Sequence, residues 1–207
     1  MAKVNDRLTR NWLRLLVVTL AVVALFGLGI TAYLAHIRAT AVALIESARD
    51  IRSTEDAQRQ IAVWRKREGE QFWQENDHPG GQHSYDGQIE NLLISRLRIL
   101  EPTVVTVGIT MQNGKLQNLA VIMQSVRYPT AAVWVQEWFD SGPVNRFHVS
   151  KKYRPLAAFI DFSTAMPDAQ REKAFALNAN CFVRPRGCRS AEDILPAVWQ
   201  LDPVTDH

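Results

Sequence analysis

The side chains able to do chemistry gather in three places along this chain of 207 residues. The first is the polar stretch 72–88, FWQENDHPGGQHSYDGQ, which holds Asp77, His78, His83 and Asp86. Carboxylate and imidazole suit a hard or borderline cation, and imidazole is also the general base that titrates near neutral pH. These four residues are the candidates for a metal-dependent hydrolytic site on a 77–86 loop. Against that reading, Pro79, Gly80 and Gly81 separate the two histidines and no structural zinc spacing is matched. A solvated polar loop has the same composition.

The second place is NCFVRPRGCRS, which carries the only two cysteines, Cys181 and Cys188. Pro185 and Gly187 let the six intervening residues turn back, so a disulfide is expected wherever the compartment is oxidising. A redox pair would favour C-x-x-C, and a metal site would need further Cys or His nearby; neither is present. The third place is Trp134 and Trp138, which fall on one side of an extended segment with Gln136 between them. Val133, Val135 and Phe139 fall on the other side. Such a strand either lies between two layers or offers its indole face to a partner.

Nothing in the chain names an enzyme. It has no G-x-S-x-G, S-x-x-K, P-loop, G-x-G-x-x-G, H-E-x-x-H or EF-hand pattern. Catalytic residues are left unassigned, no cofactor is implied, and a non-enzymatic role is the expectation.

The elements that must position these residues begin with a membrane anchor. Residues 15–34 read LLVVTLAVVALFGLGITAYL, from Leu15 to Leu34, twenty positions without a charge. At about 1.5 Å per residue such a helix spans a hydrocarbon core of ~30 Å. Upstream stand Lys3, Arg7, Arg10 and Arg14 against Asp6 alone, a cationic flank that stays cytoplasmic. Trp12 and Tyr33 suit the two headgroup zones. The apolar run exceeds the ~7–15 residues of a cleaved leader, and the nearest A-x-A, Ala41-Val42-Ala43, comes well after it. The expectation is an uncleaved signal-anchor: cytoplasmic tail 1–14, transmembrane helix 15–35, membrane-proximal helix 36–52 and an extracytoplasmic domain 53–207. The absence of an N-x-[ST] sequon favours a bacterial inner membrane, with the domain periplasmic.

The chain's pI near 9 comes from that tail. Of 24 basic and 21 acidic residues, four and one lie before Leu15, leaving 20 of each sign. A neutral exported part has no footprint for nucleic acid.

Beyond the anchor, Ile37, Ala41, Leu44, Ala48 and Ile51 make a helical stripe that would pack on the domain or on a partner helix. Ser53 with Glu55 and Asp56 reads as a fresh N-cap. Ser84 would cap a third helix over 89–100, bearing Ile89, Leu92, Leu93, Leu97 and Leu100, and stopped by Pro102. Asn113-Gly114 is a type I′ hairpin signal between strands 103–112 and 115–126. In a two-residue-loop register Met111 would face Leu116, Val107 face Ala120 and Val105 face Ile122. A second hairpin is expected from 132–139 and 144–153, then a strand at 156–162. A helix starting at Pro167 and a short one capped by Ser190 complete the chain. Helices, then strands joined by short turns, then helices predict an α+β domain with an antiparallel sheet. The functional expectation is an envelope protein that binds a protein partner or itself. The alternatives are the tethered hydrolase and a small-ligand receptor with a pocket between sheet and helices.

Overall fold

A computed structural model describes residues 2–66, 72–78, 80–91, 96–97, 101–125, 130–139, 147–150, 152–184 and 186–201, with side chains outside 2–11, 72–74 and 78. The chain forms two compact units, 1–36 and 37–207. The first unit is helical. Helix α1 (Ala2–Arg49) begins in it, and the 12–29 stretch is exposed along its whole apolar length. It is long and apolar enough to cross a membrane. Two of its threonine hydroxyls bond within the helix: Thr19 donates to the Leu15 carbonyl at 2.8 Å and Thr31 to the Gly27 carbonyl at 2.9 Å. That suits a medium without water to bond them.

The second unit is α+β. It contains the end of α1, helix α2 (Thr54–Lys66) and strands β1 (Phe72–His78), β2 (Gln82–Glu90), β3 (Thr103–Gln112), β4 (Lys115–Ser125), β5 (Ala131–Trp138), β6 (Phe147–Ser150) and β7 (Ala157–Ser163). Helix α3 (Asp168–Ala174), a 3₁₀ turn (Ala179–Phe182) and helix α4 (Ala191–Ile194) follow. The sheet has seven strands in the order β1-β2-β3-β4-β5-β7-β6.

The Asn113-Gly114 turn forms as its residues dictate, with φ of 50° and 75°. Two features of the expected sheet are corrected. The β3–β4 register slips at a bulge: Met111 still faces Leu116, but Val107 faces Val121 and Val105 faces Met123. The extra residue moves Leu119, Val121 and Met123 to the core side in place of Ala120 and Ile122, which buries more apolar volume. The sheet is also mixed, not wholly antiparallel. Strands β5 and β6 do not make a hairpin; β7 lies between them, parallel to β5 and antiparallel to β6. Strand β7 buries Ala158, Ile160 and Phe162, so it gains from a neighbour on both sides. The four-residue β6, with His148 exposed, is the better edge.

The expected third helix is also corrected. Ser84 and Ile89 lie on β2, which pairs with β3 along its whole length and with β1 over 82–88. Cross-strand pairing overrides the capping signal. Residues 92–95 and 98–100 of that expectation lie outside the described residues, and Leu97 is in an exposed turn.

Helices cover one face of the sheet. Ala41, Leu44, Ile45, Ala48 and Ile51 of α1 and its exit, with Ala57, Ile61 and Trp64 of α2, join a single core with Val105, Val107, Ile109, Val121, Val133, Val135 and Ile160. The helical stripe at 37–51 thus packs on the protein's own domain. Helix α2 is capped reciprocally: the Asp56 N–H donates to Ser53 Oγ at 3.2 Å, while Ser53 Oγ and the Arg52 N–H donate to Asp56 Oδ2. The Ser53 hydrogen bond is the main cause holding the Asp56 carboxyl below its usual range. Near the C-terminus, Ser190 Oγ accepts from the Asp193 N–H at 3.2 Å, and α4 stops before Pro196.

One charged pair lies inside this core. Arg171 of α3 and Glu137 of β5 are 1% and 2% exposed. Arg171 Nε donates to both Glu137 oxygens at 2.9 Å, and Nη2 to Oε2 at 2.7 Å. The same guanidinium donates from Nη1 to the Arg49 carbonyl and from Nη2 to the Ile51 carbonyl at 2.9 Å. It therefore takes up carbonyls at the end of α1 that no further helical turn can use. Truncating Arg171→Ala should cost about 3–5 kcal/mol, because Glu137 is left buried and unpaired. Replacing both partners, Glu137→Leu with Arg171→Met, should recover a large part of that loss. Denaturant midpoints of the 37–207 fragment check both.

Candidate functional site

The strands point their alternate residues away from the helices, and that outer face changes character across the sheet. On β2 it carries Gln82, Ser84, Asp86, Gln88 and Glu90, and on β3 Thr106, Thr110 and Gln112. These are ordinary solvated positions of an antiparallel sheet. On β5 and β7 it carries Trp134, Trp138 and Phe159. None of these rings belongs to the buried core cluster. Each is half-buried.

The register explains their meeting. Trp134 stands opposite Phe159 in the parallel β5–β7 pair, and Ile122 of β4 stands on its other side. The Trp134 and Phe159 ring centroids are 3.8 Å apart, tilted by 44°. Tyr153, in the turn before β7, brings its ring to 6.0 Å from Phe159. Together with Gln124, Arg154 and Leu156 these rings line a cavity of about 590 Å³. Along the same face Trp138 Nε1 donates to Asp161 Oδ1 at 2.5 Å, which holds the second indole. Arg154 lies over the Trp199 ring at 5.0 Å and 3.7 Å from Glu192.

The arrangement is suited to binding. Flat apolar rings take up apolar or aromatic surface, and a small number of polar groups orient it. Among the described residues lining it, no nucleophile, base and oxyanion donors stand together as acyl or phosphoryl transfer would need.

The residues singled out in sequence fall as follows. Asp77 and His83 face each other across the β1–β2 hairpin, with Nδ1 to Oδ1 at 2.6 Å, and are 78% and 44% exposed. Asp86, three positions from His83 on the same strand, lies on the opposite face beside Gly108. A Cβ at Gly108 would come within 2.8 Å of the Asp86 carboxylate, which would have to turn aside. His78 pairs with Gln82 through its backbone; its side chain lies outside those described. Strand alternation thus divides the proposed metal cluster, and among the described residues no three His, Cys, Asp or Glu side chains stand together to hold an ion. Cys181 and Cys188 lie at disulfide distance, with Cα atoms 5.1 Å apart, and both are buried. Gly187 enables this with φ of 57°, and a Cβ there would meet Ser125 Oγ at 2.4 Å. Trp134 and Trp138 share one face, as their spacing implied.

Two displaced titrations lie on β2. Burial, then the nearby Glu75 charge, raises the Tyr85 hydroxyl, over whose ring Arg65 sits while bonding Glu75 at 2.8 Å. Burial likewise raises the Glu90 carboxyl.

Three groups escaped sequence reasoning. Glu137 falls in phase with Val133 and Val135 on an apolar strand face, and that displaced charge is the signal for a buried partner. Arg171 gave no local sign. Phe159 and Tyr153 read as residues of two separate strands, 156–162 and 144–153, and meet only because β7 is inserted beside β5 with Tyr153 in the turn before it.

Comparison of the chain with protein-family models, with curated proteins and with solved structures finds no match.

The Asp77–His83 pair is exposed, so His83→Ala should shift stability by less than about 1 kcal/mol. A thermal melt of the full chain checks it; a much larger loss would mean that the imidazole has a further partner.

Proposed function

We propose that this chain is a single-pass envelope protein that works by binding. The N-terminus lies in the cytoplasm, the segment 15–34 crosses the membrane, and the 37–207 domain stands outside, in the periplasm of a bacterium. There the outer sheet face docks a protein partner or a second copy of the chain. The observation that carries this reading is the aromatic half of that face: Trp134, Trp138 and Phe159 sit on adjacent strands, away from the core that the helices fill. Aromatic side chains so placed are the usual anchors of protein interfaces. The cationic tail supports the orientation. The spacing of Cys181 and Cys188 supports an oxidising compartment, where the pair would be a stabilising crosslink worth roughly 2–3 kcal/mol.

The small-ligand reading expected a pocket between sheet and helices; the cavity that supports a ligand site lies instead on the outer face, beside Trp134. The hydrolase reading draws no support from a cluster that the strands divide.

A reporter fused after His207 should be active only in its extracytoplasmic form, and activity of a cytoplasm-only reporter would reverse the topology. Thiol labelling without reductant should leave Cys181 and Cys188 unmodified. A photo-crosslinking residue placed at Gln136, between the two tryptophans, should give a discrete adduct in membranes. An unchanged monomer band under irradiation would remove the interface.

A further inference from the structure

We propose that the cavity beside Trp134 is a binding site for a small aromatic carboxylate. This rests on the open outer face described above, but not on a protein partner covering it. The volume, about 590 Å³, lies within the range of small-molecule sites. Its walls are mostly apolar, and three rings meet there: Trp134, Phe159 and Tyr153. Rings at offset, tilted angles favour a flat guest that can stack on one and meet the edge of another.

Charge chooses the guest's polar group. Among the described lining residues the only ionised side chain is Arg154, and none is acidic. Lys152, outside the lining, places a second cation 5.4 Å from the Tyr153 ring centre. Stacking on Trp199 holds the guanidinium plane of Arg154. Glu192 pairs with Nη2 at 3.7 Å, longer than a good hydrogen bond, so a guest carboxylate that bonds the guanidinium directly would displace this loose, solvent-exposed pair. A planar fork presented at the mouth of an aromatic pocket matches a carboxylate bidentately. Gln124 supplies one further polar contact. A cationic guest would meet Arg154 and Lys152 unfavourably, and a neutral one would leave the fork unmatched.

The test uses the full chain in zwitterionic lipid nanodiscs, with empty nanodiscs correcting for partition into lipid. The probe is naphthalene-2-carboxylate, and naphthalene-2-carboxamide is the neutral match of the same shape. Isothermal titration should show saturable one-to-one binding of the carboxylate, with the amide weaker by about tenfold or more. Arg154→Gln should erase that difference while leaving amide binding unchanged, and Trp134→Ala should weaken both probes. Trp134→Phe, which keeps a ring, should retain binding if Trp134→Ala disturbs the fold, as judged by near-UV circular dichroism. Absence of saturable carboxylate binding by the wild-type chain would overturn the proposal. So would equal affinity for acid and amide, or full binding by both Arg154→Gln and a folded Trp134→Ala. A photo-crosslink at Gln136 with no probe binding would sink the ligand site and leave the interface reading. Loss of both would remove the open face as a functional surface.

Discussion

The domain depends on a buried guanidinium. Arg171 joins three separate stretches of chain: the carboxylate of β5, the end of α1 and the link to α2, through Glu137, Arg49 and Ile51. Taking two charges out of water costs several kcal/mol for each ion, and attraction between them offsets that only with good geometry. Here the fork is bidentate, its remaining donors meet backbone carbonyls, and Phe175 lies under the plane at 4.7 Å. A hydrophobic pair would supply comparable stability. It would not fix where the α1 terminus meets β5, because apolar contacts are non-directional. The ion pair supplies direction, and the surrounding stripe of Ala41, Leu44, Ala48 and Ile51 supplies area.

This constraint makes the sheet one-sided. The inner face is filled by α1, α2 and the C-terminal segments, from Leu44 to Phe175 and Leu195. Strand β5 serves both sides. Glu137 points inward to Arg171, while Trp134 and Trp138 point outward. Fixing Glu137 therefore fixes the strand that carries the aromatic surface. The Trp138–Asp161 bond adds a second restraint across β5 and β7. A binding surface built on paired strands is held more firmly than one built on loops.

Local chemistry was legible in the sequence and pairing at a distance was not. Asn113-Gly114 specifies its turn because only residues tolerant of positive φ fit there, and Ser53 and Ser190 cap because a hydroxyl reaches the orphan N–H groups of the first turn. The bulge after Leu116 was invisible to a strict alternation of two, since one extra residue inverts every position beyond it. Strand β2 was hidden for another reason. Its outer positions from Gln82 to Glu90 are all polar, and Ser84 imitates a helix cap. The insertion of β7 beside β5 is a non-local choice, made by which strand can bury both edges. The candidate site followed the same rule. Trp134 and Trp138 were readable from spacing on one strand, whereas Phe159 comes from β7 and Tyr153 and Arg154 from the turn before it.

The outer face carries its own argument for function. A sheet face that only had to stay soluble would be mostly polar, as it is across β2 and much of β3, where Val104 and Gly108 are the apolar positions. Across β5 and β7 the same face carries Trp134, Trp138 and Phe159, side chains whose exposure to water costs free energy. The cost is not needed to complete the core, which is filled from the other side by residues such as Val135 and Ile160. Nor is it needed to pair the strands, since β-branched residues would serve equally well there. What the rings add is a stacking surface beside Arg154, in a domain whose acidic and basic residues otherwise balance. That combination is the part of the molecule that folding does not require, and the proposed binding role would account for it.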